Sequence, residues 1–241
     1  VMGSLLADKD TGKELFFAPN TDGALQYVGA FAALIGMWFQ SAESRQRTFD
    51  PARAVVTPLG PIHVGEHQFF NEAPQPLVEE EEARRRGWGS VHRTSYHPVL
   101  VWLEEQLNMP MLLGKLRGAW IDTDPEGATW TLKSLLGTAP KEYGALGAGE
   151  PITADSPVFK HFTKFRYRVY AIGYNWLQSN ADSARQVIDG SDFYDPVTKQ
   201  TTRLMGIKEI IAENHSGKAI IVTHSMGGLV ARMAIAMHGA E

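Results

Sequence analysis

The chain contains no cysteine among its 241 residues, and this absence limits the chemistry available to it. Without cysteine there can be no disulfide framework, no thiolate metal site and no cysteine nucleophile. Positive charge is not in excess either, since the chain carries 23 lysines and arginines and 27 aspartates and glutamates. The resulting net charge of -4 does not favour nucleic acid as a partner, and we expect none.

The chain also lacks an apolar run long enough to cross a bilayer. Residues 24–39 are apolar except for Gln26, but this run of 16 residues is shorter than the ~20 that a spanning helix needs. Three interpretations stay open for it. It is a buried core helix, a mobile lid or interfacial helix over a lipid site, or a membrane span, which its length disfavours.

Residues 223–228 read T-H-S-M-G-G and stand between two segments of different character. The largely apolar run 218–222 before them predicts a strand, and residues 229–238, which contain no Gly or Pro, predict a helix. A serine at the apex of such a strand–turn–helix is typical of a nucleophile elbow of the G-x-S-x-G type, here with Thr223 in place of the first glycine. Ser225 is therefore the predicted nucleophile.

The residues around Ser225 fit the chemistry of such a turn. The turn strains the serine backbone, and small residues such as Gly227 and Gly228 are expected where the helix crosses close to the strand. The N–H of Met226, at the helix N-terminus, is expected to stabilise a developing oxyanion. His224 is predicted to pack or orient, because its side chain points away from Ser225 at an elbow. The alternative is a buried serine at an ordinary strand-to-helix junction.

The last third of the chain has the pattern of an α/β fold. Residues 167–172 predict a strand, residues 180–188 and 202–214 predict helices, and the strand before Ser225 follows. A strand–helix–strand with a short return is the right-handed parallel unit of a doubly wound sheet.

The first two thirds are more irregular. Residues 1–17 have the pattern of a hairpin or a loop and strand, and residues 54–57 and 62–64 predict short strands. The charge run 79–86 predicts a solvated helical face with internal ion pairs, and a binding patch is the alternative. Residues 96–108 predict an amphipathic helix.

Three separated pieces resemble motifs of a lipase branch of the α/β-hydrolases, the lecithin:cholesterol acyltransferase group with the related GPI-inositol-deacylase-like bacterial lipases. The pieces are V-M-G-S-L-L at Val1–Leu6, Y-N-W-L at Tyr174–Leu177 and H-S-M-G-G at His224–Gly228. The chain departs from the family pattern at Thr223 for Gly, Asn175 for Asp and Leu177 for Arg. The last of these removes a charge and whatever polar pairing that arginine makes.

The resemblance implies an α/β-hydrolase fold with a doubly wound, mostly parallel sheet. A large cap or lid insertion is expected between the first oxyanion loop and the strand that ends near Ile172. The implied domains are the start of the hydrolase core at 1–23, the insertion at 24–155, and the core with the nucleophile elbow at 156–241. The remainder of the core is expected beyond residue 241.

The resemblance also implies that the N–H of Val1 is the second oxyanion donor beside Met226. In α/β-hydrolases the triad follows the chain order Ser, then Asp or Glu, then His. After Ser225 the chain offers only His238 and Glu241, and His238 lies in the helix predicted directly after the serine. The triad Asp and His are therefore also expected beyond residue 241.

The first forty residues and the aromatic-rich middle look most like phospholipase effectors delivered by bacterial type VI secretion. This resemblance implies secretion into the periplasm and membranes of a competitor cell, a phospholipid substrate at a membrane surface, and an immunity protein that blocks the active site. The predicted function is a serine lipase or phospholipase that hydrolyses carboxylic esters by a Ser-His-Asp mechanism. The alternatives are an intracellular or secreted carboxylesterase or neutral lipase, and a catalytically inactive hydrolase-fold binding protein.

A serine triad needs no cofactor, and none is predicted. Asp189, Asp192 and Asp195 could offer oxygen ligands to Ca²⁺, but the Gly and Glu of an EF-hand loop are missing, and a solvated turn is the alternative. Four histidines of the insertion lack a metal-like pairing such as H-E-x-x-H, so no metal site is predicted there. These are His63, His67, His92 and His97.

Overall fold

The computed structural model describes residues 3–15, 35–36, 38–67, 75–108, 111–112, 115–116, 137, 150–151, 153, 155–157, 160 and 167–238. The chain divides into two compact units, one formed by Val1–Val99 with Tyr170–Glu241 and the other by Leu100–Val169. The domain boundaries expected after residues 23 and 155 stay a prediction. Most of the apolar run 24–39 lies outside the described residues, so its three interpretations stay open as well.

The helices with described bounds are α1 (Ala42–Thr48), α2 (Glu80–Arg85), α3 (Arg93–Asn108), α4 (Asn180–Asp189), α5 (Ile207–Asn214) and α6 (Gly227–His238). The helices predicted at 96–108, at 180–188 and after Ser225 are confirmed as α3, α4 and α6. In the part of the chain described here, none of the helices combines the length and the apolar character that crossing a membrane requires.

The strands form four two-stranded antiparallel sheets in the described part of the chain. They pair β1 (Leu6–Asp8) with β2 (Ala54–Val56), β3 (Glu66–His67) with β4 (Gln75–Pro76), β5 (Met111–Leu112) with β6 (Lys115–Leu116), and β7 (Ser191–Asp195) with β8 (Gln200–Leu204). The strand predicted at 54–57 is thus confirmed as β2, and the one predicted at 62–64 is wrong, because no strand is assigned there.

The helix predicted over 202–214 begins only at Ile207, because its first residues belong to a hairpin. Thr202 faces Phe193 across β7 and β8, and Thr201 faces Tyr194. Pairs of an aromatic with a β-branched residue stabilise antiparallel strands, so the local pairing prevails over the helical pattern.

The doubly wound parallel sheet is not found among the described residues. The segment 167–172, predicted as one of its strands, uses its amide groups differently. The N–H of Ala171 donates to the carbonyl of Arg86 at 2.9 Å, and the N–H of Gly173 donates to Ser90 Oγ at 3.1 Å. These donors are therefore satisfied by a turn carbonyl and a hydroxyl instead of a neighbouring strand.

The segment 218–222, predicted as the strand before the elbow, carries no strand assignment either. The side chains of Ile220 and Val222 are 83% and 71% exposed. A strand inside a parallel sheet would bury both faces, so this part of the expected fold is not shown.

Two hydrophobic clusters hold the first unit together. One cluster joins the two larger sheets and consists of Leu6, Ala7, Ala54, Val56, Phe193 and Leu204. The other joins α4, α5 and α6 and consists of Ala184, Val187, Ile188, Ile207, Val230 and Ala234. Val230 and Ala234 lie four residues apart, on one face of α6, and each is 1% exposed. This face orients α6 and therefore the turn that precedes it.

The charge run 79–86 forms the internal pairs that were predicted, within and beside α2. Glu82 accepts from Arg85 at 2.6 Å and from Arg86 at 2.7 Å. These hydrogen bonds lower the pKa of Glu82 to about 2 despite its partial burial, and the bond from Arg85 has the largest effect. The prediction of a solvated face is wrong for Arg86, which is buried, and Arg85 also pairs with Glu213 at the end of α5.

Candidate active site

Ser225 has the strained backbone that a nucleophile elbow requires. Its φ is +55°, in the left-handed region that L-residues other than Gly avoid at a cost of roughly 1–2 kcal/mol. The turn is closed by the N–H of Gly227, which donates to the His224 carbonyl at 3.0 Å, and by that of Gly228, which donates to the Ser225 carbonyl at 3.0 Å. Ser225 is exposed, at the start of α6.

Met226 directly follows the serine and begins the hydrogen bonding of α6. Its carbonyl accepts the N–H of Leu229 at 2.9 Å and that of Val230 at 3.2 Å. The Met226 peptide is thereby fixed at the helix N-terminus, where amide groups favour negative charge. Its role as an oxyanion donor stays a prediction, and Val1, the second predicted donor, lies outside the described residues.

The two glycines after Met226 are less crowded than predicted. A Cβ at Gly227 would lie 3.7 Å from Thr223 Cβ, and one at Gly228 would lie 3.6 Å from Thr223 Oγ1. Both distances are ordinary van der Waals contacts. The close approach occurs instead at Gly3, where a Cβ would lie 2.4 Å from the Tyr96 hydroxyl oxygen.

The opening segment, defined as residues 3–5, is held on one side by residues 90–92. The Gly3 carbonyl accepts the N–H of His92 at 2.8 Å, and the N–H of Leu5 donates to the Ser90 carbonyl at 2.9 Å. Between these bonds, Ser4 forms an antiparallel bridge with Val91. Residues 3–5 are therefore fixed as a short ladder.

The same segment is held on its other side by the Y-N-W-L piece. Ser4 Oγ accepts the N–H of Tyr174 at 2.9 Å, and the Ser4 carbonyl accepts the indole Nε1–H of Trp176 at 3.1 Å. The Tyr174 hydroxyl in turn lies 3.8 Å from the position a Cβ of Gly227 would occupy. Thus all three sequence pieces lie side by side in the first unit, although Ser4 and Tyr174 are 170 residues apart in the chain.

The chain as a whole has a structural neighbour among solved structures. The chain is similar to one in the crystal structure of the Tle4–Tli4 complex. The two share 28% sequence identity with a TM-score of 0.65, over 100% of this chain and 42% of that chain. The match therefore includes the opening segment and the elbow, and this chain spans well under half the length of the solved one.

No family model matches the chain, and comparison with curated proteins gives no match. The structural likeness gives no support to the narrower resemblance to the lecithin:cholesterol acyltransferase branch.

His224 and Tyr96 form a pair beside the nucleophile that the sequence did not predict. The Tyr96 hydroxyl and His224 Nδ1 lie 3.2 Å apart, and the two rings meet edge to face with centroids 6.0 Å apart. Burial raises the pKa of Tyr96, so its hydroxyl stays protonated. Tyr96 was placed only in a helix, and no sequence signal marks its approach to an element 128 residues away.

Asn175, where the family pattern has Asp, is buried and is used as an amide. Its Nδ2 donates to the carbonyls of Pro51 at 3.1 Å and Ala54 at 3.0 Å, while its Oδ1 accepts the N–H of Leu177 at 3.0 Å. An ionised Asp has no donor for the two carbonyls. The departure from the family pattern therefore has a structural reason in this chain.

The three aspartates weighed as a calcium site each have their own partner. Asp189 pairs with Lys208 at 2.6 Å and Asp192 pairs with Arg203 at 3.2 Å. Asp195 accepts the hydroxyl of Thr198 at 2.7 Å within the turn between β7 and β8. Across the residues whose placement is described, no group of three or more His, Asp, Glu or Cys could hold a metal ion.

His97, one of the four insertion histidines, is fully buried and fully satisfied. Its Nδ1 accepts the N–H of His63 at 3.0 Å and its Nε2–H donates to the Trp88 carbonyl at 2.9 Å. These bonds specify the neutral ring, and burial lowers the pKa of His97 accordingly. His97 is a core residue.

Proposed function

We propose that this chain carries the nucleophile and the oxyanion site of a serine lipase or phospholipase of α/β-hydrolase fold. The observation that carries the proposal is the strained backbone of Ser225, directly before a helix N-terminus. The opening segment follows Val1, the second proposed donor, in sequence. It is held beside the Y-N-W-L piece, and the Tyr174 hydroxyl of that piece lies close to the start of α6.

The reaction would proceed by acyl transfer to water. Ser225 Oγ attacks the ester carbonyl while a histidine takes its proton, and the N–H groups of Met226 and Val1 stabilise the oxyanion. The alcohol leaves with that proton, and water then hydrolyses the acyl-serine by the same route in reverse. Removal of one such donor typically lowers kcat by about 10²–10³-fold.

The proposal assigns no Asp and no His of this chain to the triad. The chain covers 42% of the chain that it matches in the Tle4–Tli4 complex. The mechanism calls for no metal or other cofactor, and the aspartate turn between α4 and β8 is assigned no calcium.

The likeness to the Tle4–Tli4 complex supports the lipase and effector part of the proposal. It is also consistent with a protein partner, and we propose an immunity or inhibitor protein that covers the active site. We propose a membrane phospholipid as substrate and delivery into the periplasm of a target bacterial cell.

A fluorophosphonate probe on the full-length protein tests the nucleophile. The wild-type protein is expected to be labelled at Ser225, and Ser225→Ala is expected to remain unlabelled. Absence of labelling in a folded wild-type protein would favour the inactive binding protein instead. Phospholipid vesicles and a short soluble ester separate the substrate classes, because a lipase of this kind hydrolyses the dispersed phospholipid faster.

A further inference from the structure

Tyr96 contacts both Gly3 and His224, and the proposed reaction gives Tyr96 no role. On one side its ring edge lies directly against Gly3. A Cβ placed on that glycine would be 2.4 Å from the Tyr96 hydroxyl oxygen, 2.6 Å from Cε2 and 2.7 Å from Cζ. No side chain larger than hydrogen fits there unless the phenol moves.

On its other side the same hydroxyl lies 3.2 Å from Nδ1 of His224, the residue before the nucleophile. One phenol group therefore contacts both the opening segment and the elbow. The two rings also pack edge to face, a geometry that is favourable for aromatic pairs.

The backbone of Tyr96 is linked to Gly3 through His92. Its N–H donates to the His92 carbonyl at 3.0 Å, while the N–H of His92 donates to the Gly3 carbonyl at 2.8 Å. The segment 92–96 thus holds Gly3 twice, once through the backbone of His92 and once through the ring of Tyr96. A shift of this segment would move the opening segment relative to Ser225.

We propose that Tyr96 is a positioning residue that sets the separation between Gly3, which follows the proposed donor Val1 by two positions in sequence, and the elbow, which carries the proposed donor Met226. The inference rests on the hydrolase function proposed above. Oxyanion donors act at about 2.7–3.1 Å from the developing charge, and a misplacement of about 1 Å lowers the rate about 100-fold. A rigid phenol between Gly3 and the elbow holds that spacing.

The first test removes only the hydroxyl. In full-length Tyr96→Phe the ring still lies against Gly3 and His224, but the contact between the hydroxyl and His224 Nδ1 is lost. The rate of fluorophosphonate labelling and kcat are expected to fall roughly three- to tenfold, with KM unchanged. Tyr170→Phe is the matched control, because its hydroxyl is bonded at the end of α5, where it accepts from Asn214 Nδ2 at 2.9 Å and donates to Glu213 at 3.5 Å. This control is expected to label at the wild-type rate.

The second test asks whether Gly3 and Tyr96 act together. Gly3→Ala alone forces the phenol aside and is expected to lower the labelling rate at least tenfold. In a Tyr96→Ala background the space is empty, so the same change is expected to lower the rate by less than twofold. Residues in contact are coupled whatever their role, so the deciding readout is the labelling rate of the folded variants. A residue that only stabilised the fold would leave that rate unchanged.

The outcomes separate this inference from the function on which it rests. Wild-type labelling of Ser225 together with equal labelling of Tyr96→Phe, or multiplicative effects in the second test, would overturn the positioning role alone. A folded wild-type protein that does not label would overturn the hydrolase function and the positioning role with it. Circular dichroism on each variant confirms that the fold is retained.

Discussion

Replacement of Asn175 by Asp changes a single NH₂ group to an oxygen in a buried side chain that is 3% exposed. In the wild-type protein the Asn175 amide donates to two main-chain carbonyls, those of Pro51 and Ala54. In the variant both carbonyls lose their donor and face a carboxylate oxygen instead. A buried group left without its partner costs about 1–3 kcal/mol. The bond to Ala54 is buried whereas Pro51 is exposed, so the expected loss of unfolding free energy is about 1–3 kcal/mol at pH 7.

The loss should depend on pH in a definite direction. Burial against carbonyl oxygens raises the pKa of the introduced carboxyl above that of the unfolded chain, ~3.9. The folded state then binds more protons than the unfolded state between the two pKa values. Stability of Asn175→Asp is therefore greatest below pH 4 and decreases as the pH rises toward the folded pKa, relative to wild type.

Urea unfolding of the full-length protein at pH 5 and pH 7 measures both effects. Asn180→Asp is the control for the same chemical change, because it places a negative charge in the first turn of α4, where the helix dipole favours it. An Asn175→Asp protein that unfolds within 0.5 kcal/mol of wild type at pH 7 would refute the assigned amide orientation and the reason given for the departure from the family pattern.

Two further changes test the packing of α6 and the ion pairs of α2. Val230→Ala, at a site 1% exposed, should lower the unfolding free energy by about 2 kcal/mol, while Val197→Ala, at a site 80% exposed, should change it by less than 0.5 kcal/mol. Equal effects in urea unfolding would contradict the helix cluster. Because the pKa of Glu82 is lowered to about 2, its contribution is present above pH 4.5 and is lost as the pH falls toward 2. Glu82→Gln should therefore show a shallower loss of stability over that window, and an unchanged pH profile would exclude these pairs as its source.

The helices could be predicted because their signals are local. Ser179 caps α4 by accepting the N–H of Asp182, and Gly190 ends it with a positive φ. The turn at Ser225 was predictable for the same reason, since small residues, a strand-like run and a helical run adjoin it in sequence. The positive φ of Ser225 follows from this local sequence.

The rest depends on partners distant in sequence. Whether residues 167–172 form a strand is decided by acceptors such as Ser90, 83 residues from Gly173, and periodicity carries no information about them. The same holds for Tyr96, whose two contacts lie 93 and 128 positions away. Close contact was expected around Gly227 but is found around Gly3, because the side chain that crowds it, Tyr96, is distant in sequence.

Ser4 has a consequence for how the site is assembled. Its two hydrogen bonds to Tyr174 and Trp176 close chain segments of 170 and 172 residues. Closing a loop of that length costs about 2.5 kcal/mol more in chain entropy than closing one of ten residues. Local helices and hairpins therefore form at a lower entropic cost than these two bonds, which we expect to close late. A partly folded chain would already contain its reactive serine but would lack the site that makes the serine useful.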